Sequence, residues 1–137
     1  MKKQLTIVLK VCFVLTTGLV VSACTKRESA LKDAAFAGVY TLISVDGKPV
    51  PADITHEGDP IQVRSGTFTI NADGTCSMTS VFVPASGSEV RREVSANYSK
   101  EESTLTMKWV GAGITVGTIQ GNTFTMDNEG ILFLYRK

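Results

Sequence analysis

Hydrophobic and polar residues alternate with a period of two along most of the chain after residue 36. The alternating runs are short, and turn residues such as Asp46-Gly47 and Ala72-Asp73-Gly74 separate them. Alternation of this kind is typical of β-strands that bury one face, and an Asp-Gly turn often joins two neighbouring strands as a hairpin. The pattern predicts eight strands, at residues 39–45, 66–71, 75–83, 89–98, 104–110, 114–120, 123–127 and 131–136.

The segment from Pro49 to Pro60 breaks this pattern. It holds three prolines and three acidic residues, so it is predicted to be a loop. His56 lies in this segment beside Glu57 and could form a metal or acid–base cluster with Asp53 and Asp59. A polar, solvated loop is the simpler interpretation, because loops lie at the surface and their residues are polar whether or not they bind a metal or catalyse a reaction.

Strands joined by short turns pair antiparallel with their neighbours in the sequence. An eight-stranded meander leaves no exposed edge only if it closes on itself. The predicted fold class is therefore all-β, an eight-stranded antiparallel up-and-down barrel over residues 36–137.

The alternation also predicts which side chains point into this barrel. Eight strands enclose an interior that is either filled by side chains or able to hold one small ligand, and strands of about seven residues favour a filled interior. Cys76 belongs to the inward set, whereas the last strand is apolar on both faces and is not oriented by its pattern. If a ligand is held, the candidate binding residues are Tyr40, Phe68, Met78, Phe82, Tyr98, Met107, Trp109, Phe124 and Met126.

The first 23 residues have the pattern of a secretory signal peptide. Met1-Lys2-Lys3 is a positive start, and residues 11–21 are uncharged and mostly apolar. Lys10 leaves the continuous apolar run too short to cross about 30 Å of hydrocarbon as a permanent helix. A cleaved signal is therefore favoured over a retained transmembrane anchor.

Charge and cysteine count exclude several classes of function. Loss of the three lysines of the signal leaves 11 Lys and Arg against 13 Asp and Glu, and this balance lacks the basic surface of a nucleic-acid-binding protein. Because Cys12 lies in the signal, Cys24 and Cys76 are the remaining cysteines. No arrangement of nucleophile, base and orienting group is evident, so we predict no enzyme activity, no metal, no cofactor and a monomer.

Arg91-Arg92 is a possible contact for an anion. Adjacent residues of a strand point to opposite faces, so at most one of the two can serve a given surface. A solvated strand edge is the favoured interpretation of the pair.

The tetrapeptide Val21-Ser22-Ala23-Cys24 resembles the lipobox of bacterial lipoproteins. The resemblance implies that Cys24 carries a lipid anchor that attaches the protein to a membrane, and residues 24–35 then form a polar tether. Thr25 stands where an aspartate would resemble the inner-membrane retention signal. In a Gram-negative cell this implies an outer-membrane lipoprotein that faces the periplasm.

The later residues resemble the small bacterial lipocalin-like lipoproteins, within the calycin barrels. The resemblance rests on Gly38-Val39-Tyr40, Ser44 to Pro49, Ala72 to Thr75 and the closing Leu134 to Lys137. It places Tyr40 where lipocalins have a tryptophan and makes Arg136 the candidate for the arginine that packs on that ring. It implies an envelope lipoprotein whose barrel binds a small apolar ligand. The alternative is a structural or protein-interaction barrel with a filled core, which would contact an envelope partner or inhibit an enzyme.

Overall fold

The computed structural model describes residues 35–137, in which ten β-strands are joined by short connections. The predicted signal peptide (1–23), Cys24 and the tether as far as residue 34 lie outside the described residues. The strands are β1 (Gly38–Val45), β2 (Lys48–Pro49), β3 (Ala52–His56), β4 (Asp59–Ile70), β5 (Thr75–Pro84), β6 (Val90–Glu101), β7 (Thr104–Trp109), β8 (Gly113–Gln120), β9 (Thr123–Asn128) and β10 (Ile131–Arg136).

Eight of these strands form a closed antiparallel ring. From β4 to β10 each strand pairs with the next, and β1 closes the ring by pairing with β10 on one side and β4 on the other. The closing pairs with β4 run from Gly38 opposite Ile70 to Thr41 opposite Thr67. The predicted all-β, eight-stranded up-and-down barrel is thus confirmed.

The predicted loop from Pro49 to Pro60 was wrong. It contains β2, β3 and the start of β4, and β3 pairs with β4 from Ala52 opposite Val63 to His56 opposite Asp59. Proline is compatible with strand ends and with edge strands, because there its missing N–H leaves no ladder bond unmade. Pro49 ends the two-residue edge strand β2, and Pro60 is the second residue of β4.

Strand β1 changes neighbour part-way along its length. A bulge lies between Leu42 and Ser44, and beyond it Ser44 and Val45 pair with β2. The Leu42 side chain lies over Gly66, where an added Cβ would be 3.2 Å from Leu42 Cδ2. The lack of a side chain at Gly66 therefore lets Leu42 pack where the two strands diverge.

Aromatic rings fill one half of the barrel interior. The ring centroids of Phe68 and Phe124 are 4.5 Å apart, and Tyr135 lies 5.7 Å from Phe68 and 5.9 Å from Phe124. Tyr40 meets Phe124 edge-on at 6.2 Å. Such pairs add about 0.5–1.5 kcal/mol each to the free energy of unfolding beyond the burial of their area. These aromatic side chains hold different strands of the barrel against one another across its interior.

The same half is closed at its end by Phe36. The Tyr40 hydroxyl donates a hydrogen bond of 2.6 Å to the Phe36 carbonyl oxygen, and the Tyr98 ring packs edge-on against Phe36 at 6.1 Å. The Lys100 ammonium lies 5.0 Å from the Phe36 ring centroid. A cation and two tyrosines therefore hold the segment just before β1 over this end of the barrel.

Lys137, and not Arg136, is the cation that lies over Tyr40. Its Nζ is 5.8 Å from the ring centroid and donates to the Ala37 carbonyl oxygen at 2.6 Å. Tyr135 is buried and points inward, so alternation turns Arg136 outward, where it is exposed. The expectation that Arg136 packs on Tyr40 was therefore wrong by one residue.

Cys76 lies in the filled half with 1% of its surface exposed. Its burial among apolar side chains raises the pKa of the thiol to about 11. The thiolate is the reactive form of cysteine, so Cys76 is protonated and inert at neutral pH.

Gly117 makes room for this aromatic cluster. It lies on the inward face of β8, and an added Cβ would be 2.4 Å from Phe124 Cε2 and 3.0 Å from the Thr125 carbonyl oxygen. Neither a packed ring nor a strand backbone can move freely. The ring of Phe124 therefore occupies the space that any larger residue at position 117 would need.

We expect Gly117→Ala to lower the free energy of unfolding by about 1–3 kcal/mol, the usual cost of overpacking a core. Denaturant unfolding measures the change. Val116→Ala is the matched control, because Val116 is 49% exposed on the outer face of the same strand and surface substitutions change stability by about 0.5 kcal/mol or less. Equal stability of the two variants would contradict the packing described for Phe124.

Candidate cavity

The other half of the barrel is open and holds a cavity of about 450 Å³. The β3–β4, β7–β8 and β9–β10 turns contribute to its mouth through Glu57, Gly111 and Glu129, and Tyr135 and Met126, both 1% exposed, lie at its buried floor. The cavity is therefore a cup that opens at the barrel end opposite Phe36.

Apolar side chains make up most of the wall. They come from eight strands and the β7–β8 turn, which is why no single stretch of sequence marks the site. The apolar residues of the wall are Leu42, Ile54, Ile61, Val63, Met78, Phe82, Val94, Trp109, Val110, Ala112, Met126, Ile131, Phe133 and Tyr135.

The nine residues predicted to bind a ligand divide between the two halves. Met78, Phe82, Trp109 and Met126 line the cavity. The other five pack in the filled half and do not reach its wall: Tyr40, Phe68, Tyr98, Met107 and Phe124. Alternation thus identified the interior face, but it carries no information on which level of the barrel is full.

The size of the inward side chains explains why this half stays open. On β8 the inward residue nearest this end is Thr115, whereas β4, β9 and β10 place Phe68, Phe124 and Tyr135 deeper in the barrel. On β5 the short inward residue Ser80 lies between Met78 and Phe82 in the wall. Short side chains on several strands leave a space that the remaining ones do not span.

Sequence reasoning missed several residues of the wall. Ile54 lies in the segment that was predicted to be a loop. Ile61 and Val63 lie between that segment and the strand predicted at residues 66–71, although their alternation with Gln62 and Arg64 is a strand signal. Phe133 and Ile131 lie on the strand whose orientation the sequence left open, and the structure turns them inward with Tyr135.

Trp109 is held in the wall by a buried polar pair. Its Nε1–H donates a hydrogen bond of 2.9 Å to Thr115 Oγ1, and the Thr115 hydroxyl in turn donates to Asn128 Oδ1 at 3.5 Å. Among residues 35–137, Thr115 is the one polar residue that is buried. The pairing satisfies the indole donor and fixes the ring against the cavity.

His56 and Glu129 meet at the mouth. The distance from His56 Nε2 to Glu129 Oε2 is 3.7 Å, and the two side chains are 35% and 67% exposed. An exposed pair of this kind contributes little to stability, but it links the end of β3 to the β9–β10 turn across the rim.

Among residues 35–137, no group of three or more His, Cys, Asp or Glu side chains is placed to hold a metal ion. Within the same range, no helix has the length and apolar character needed to cross a membrane. Cys76 lies outside the cavity wall. The arrangement can therefore enclose an apolar molecule, and its polar groups are few and placed near the mouth.

We expect Thr115→Val to lower the free energy of unfolding by about 1–3 kcal/mol, because the buried Trp109 N–H loses its acceptor. The emission of Trp109, the single tryptophan of the chain, should shift as the ring moves. Thr115→Ser keeps the hydroxyl and is the matched control. The hydrogen bond has no role in holding Trp109 if the Val and Ser variants unfold at the same denaturant concentration with the same emission.

No family model matches the chain, and no curated protein matches it. A search of solved structures finds a lipocalin-like protein from Bacteroides uniformis ATCC 8492, with 14% sequence identity and a TM-score of 0.47. The alignment covers 75% of this chain and 98% of that one. The closed ring of eight antiparallel strands in up-and-down order rests on the strand pairing described above. By that topology, residues 36–137 of this protein form an eight-stranded up-and-down barrel, an architecture that lipocalins also have.

Proposed function

We propose that the barrel binds one small apolar molecule in its open half. The single observation that carries the proposal is the cavity of about 450 Å³, which lies within the range of roughly 300–1,000 Å³ that is usual for small-molecule sites. Its wall is mostly apolar with a few polar groups, which is also usual for such sites.

The apolar wall provides the driving force for ligand binding. Each methylene group that a ligand moves from water into such a cavity stabilises the complex by about 0.8 kcal/mol. The floor side chains Met126 and Tyr135 belong to the rigid core, so they need no reorganisation when a ligand enters. Met78, which is only partly buried, adds a flexible thioether side chain that fits ligands of different shape.

We further propose that a lipid on Cys24 attaches this barrel to the cell envelope. The support is the signal-like residues 1–23 and the lipobox-like residues 21–24 of the sequence. With Thr25 after the cysteine, the proposed location in a Gram-negative cell is the outer membrane, facing the periplasm. The barrel would then carry or present its ligand at a membrane surface.

A protein-interaction barrel is the second candidate. Ile114 and Val116 on β8 are 67% and 49% exposed, and Leu132 on β10 is 46% exposed. Val116 and Leu132 both lie opposite Asp127 of β9, so they flank it on the outer surface. An exposed apolar surface of this kind favours contact with an envelope protein.

An apolar fluorophore should bind the protein with one-site stoichiometry and quench Trp109, which lines the cavity. Val94→Phe should weaken binding at least tenfold by filling part of the cavity, whereas Ser95→Phe adds the same ring on the outer face of β6 and should not. Bound ligand should also raise the thermal midpoint, since a ligand at 100 times its Kd stabilises the folded state by about 2.7 kcal/mol. Fluorescence titration and thermal unfolding measure both effects.

Absence of saturable binding across several dyes and long-chain apolar compounds would reject the carrier function and leave the protein-interaction barrel. If Val94→Phe and Ser95→Phe reduce the affinity for the dye equally, the dye binds outside the cavity, and the carrier function is again rejected.

Cys24→Ala should release the protein from the membrane fraction, because acyl chains attach a protein through about 0.8 kcal/mol per buried methylene group. Cys12→Ala, within the proposed signal, is the matched control and should leave attachment intact. Detergent partitioning and mass measurement of the mature N-terminus test this. An unmodified Cys24 in protein purified from its native membrane would show that no lipid anchor is present.

A further inference from the structure

Arg92 interrupts the apolar wall of the cavity. It lines the cavity from β6, and Ser80 of β5, directly opposite in the strand register, lines it too. Directly opposite side chains on one face of an antiparallel pair have Cβ atoms about 4.5–5.5 Å apart. A guanidinium and a hydroxyl therefore stand side by side on the inner surface.

This polar pair lies inside the mouth and not at the tip of a turn. The next inward pair toward the mouth is Phe82 opposite Val90, and the next pair toward the floor is Met78 opposite Val94. Arg92 thus lies on the inward face between the level of Phe82 and the level of Met78 and Val94, all three of which line the cavity. Arg91 lies on the outward face of the same strand.

Arg92 has no partner within the protein. Among residues 35–137 the one ion pair joins His56 and Glu129, and the Arg92 side chain takes part in no hydrogen bond or ion pair. The two acids of the wall, Glu57 and Glu129, belong to the β3–β4 and β9–β10 turns at the rim. Arg92 is exposed, so its guanidinium is open to solvent when no ligand is present.

Entry of a ligand would remove solvent water from the guanidinium. A purely apolar ligand would leave the guanidinium without hydrogen-bond acceptors, which is costly for a charged group. An oxyanion on the ligand would replace the water and accept two parallel hydrogen bonds from the planar guanidinium. The Ser80 hydroxyl could donate a third hydrogen bond to the same group.

We propose that the cavity selects amphiphiles that carry one oxyanion, which pairs with Arg92 and Ser80 while the apolar body lies against Met78 and Trp109. This proposal rests on the proposed function of the cavity and adds the chemical class of the ligand. Carboxylate and phosphate head groups share the required chemistry, and competition between laurate and lauryl phosphate ranks the two.

The test compares dansyl-undecanoic acid with its uncharged methyl ester, with binding measured by energy transfer from Trp109. The acid should bind the native protein about tenfold more tightly than the ester, as a charge-assisted hydrogen bond allows. In Arg92→Gln the ratio of the two affinities should fall to about one. Arg91→Gln is the matched control, because it removes the same charge from the outward face of the same strand and should keep the ratio.

Three outcomes would overturn the proposal. The native protein could bind acid and ester equally, or it could prefer the corresponding amine, which would indicate the rim acids Glu57 and Glu129. A fall in the ratio that is equal in Arg91→Gln and Arg92→Gln would show a general effect of charge. Failure of both the acid and the ester to bind the native protein would instead reject the binding function of the cavity itself, and the two failures are thereby distinguished.

Discussion

The pairing of β1 with two strands at once is the constraint on which the rest of the structure depends. Without the hydrogen bonds between residues 38–41 and 67–70, β1 and β4 would be the free edges of an open sheet. The inward rings of Phe68, Phe124 and Tyr135 come from three different strands, and they meet because the sheet closes. Closure thus brings the apolar faces of the eight strands together into one core.

The same strand explains why one end is packed and the other open. Beyond the bulge at Leu42, β1 leaves β4 and pairs with β2, so the ring widens and β3 lies alongside β4 instead. Ala52, 3% exposed, and Ile54 of β3 pack where the ring widens. The cavity therefore lies at the level where the ring has lost its direct β1–β4 pairing, and the aromatic cluster lies where that pairing is intact.

The fold followed from period-two alternation and turn residues, because both are local signals that the barrel obeys over most of its length. The errors have physical causes. Three prolines suggested a loop at residues 49–60, but the sheet accepts them at strand ends. The division into a filled and an open half could not be predicted, since it depends on which inward residues of different strands, such as Thr115 and Ser80, reach the same level of the barrel. Arg92 was interpreted as part of a solvated edge, because only the strand register shows that it lies beside Ser80 on the inner surface.

Stability and binding fall to different halves of the same barrel. The wall side chains around the cavity lack partners across about 450 Å³ of space, so they gain less from dispersion contacts than the packed rings do. The filled half must therefore supply most of the free energy that keeps the ring closed. This leaves the residues around the mouth, such as Phe82 and Arg92, free to be chosen for what they contact in a ligand. Substitutions in the aromatic cluster would then change mainly the free energy of unfolding, and substitutions at the mouth would change mainly the affinity for a ligand. This holds even though both sets of residues alternate along the same strands.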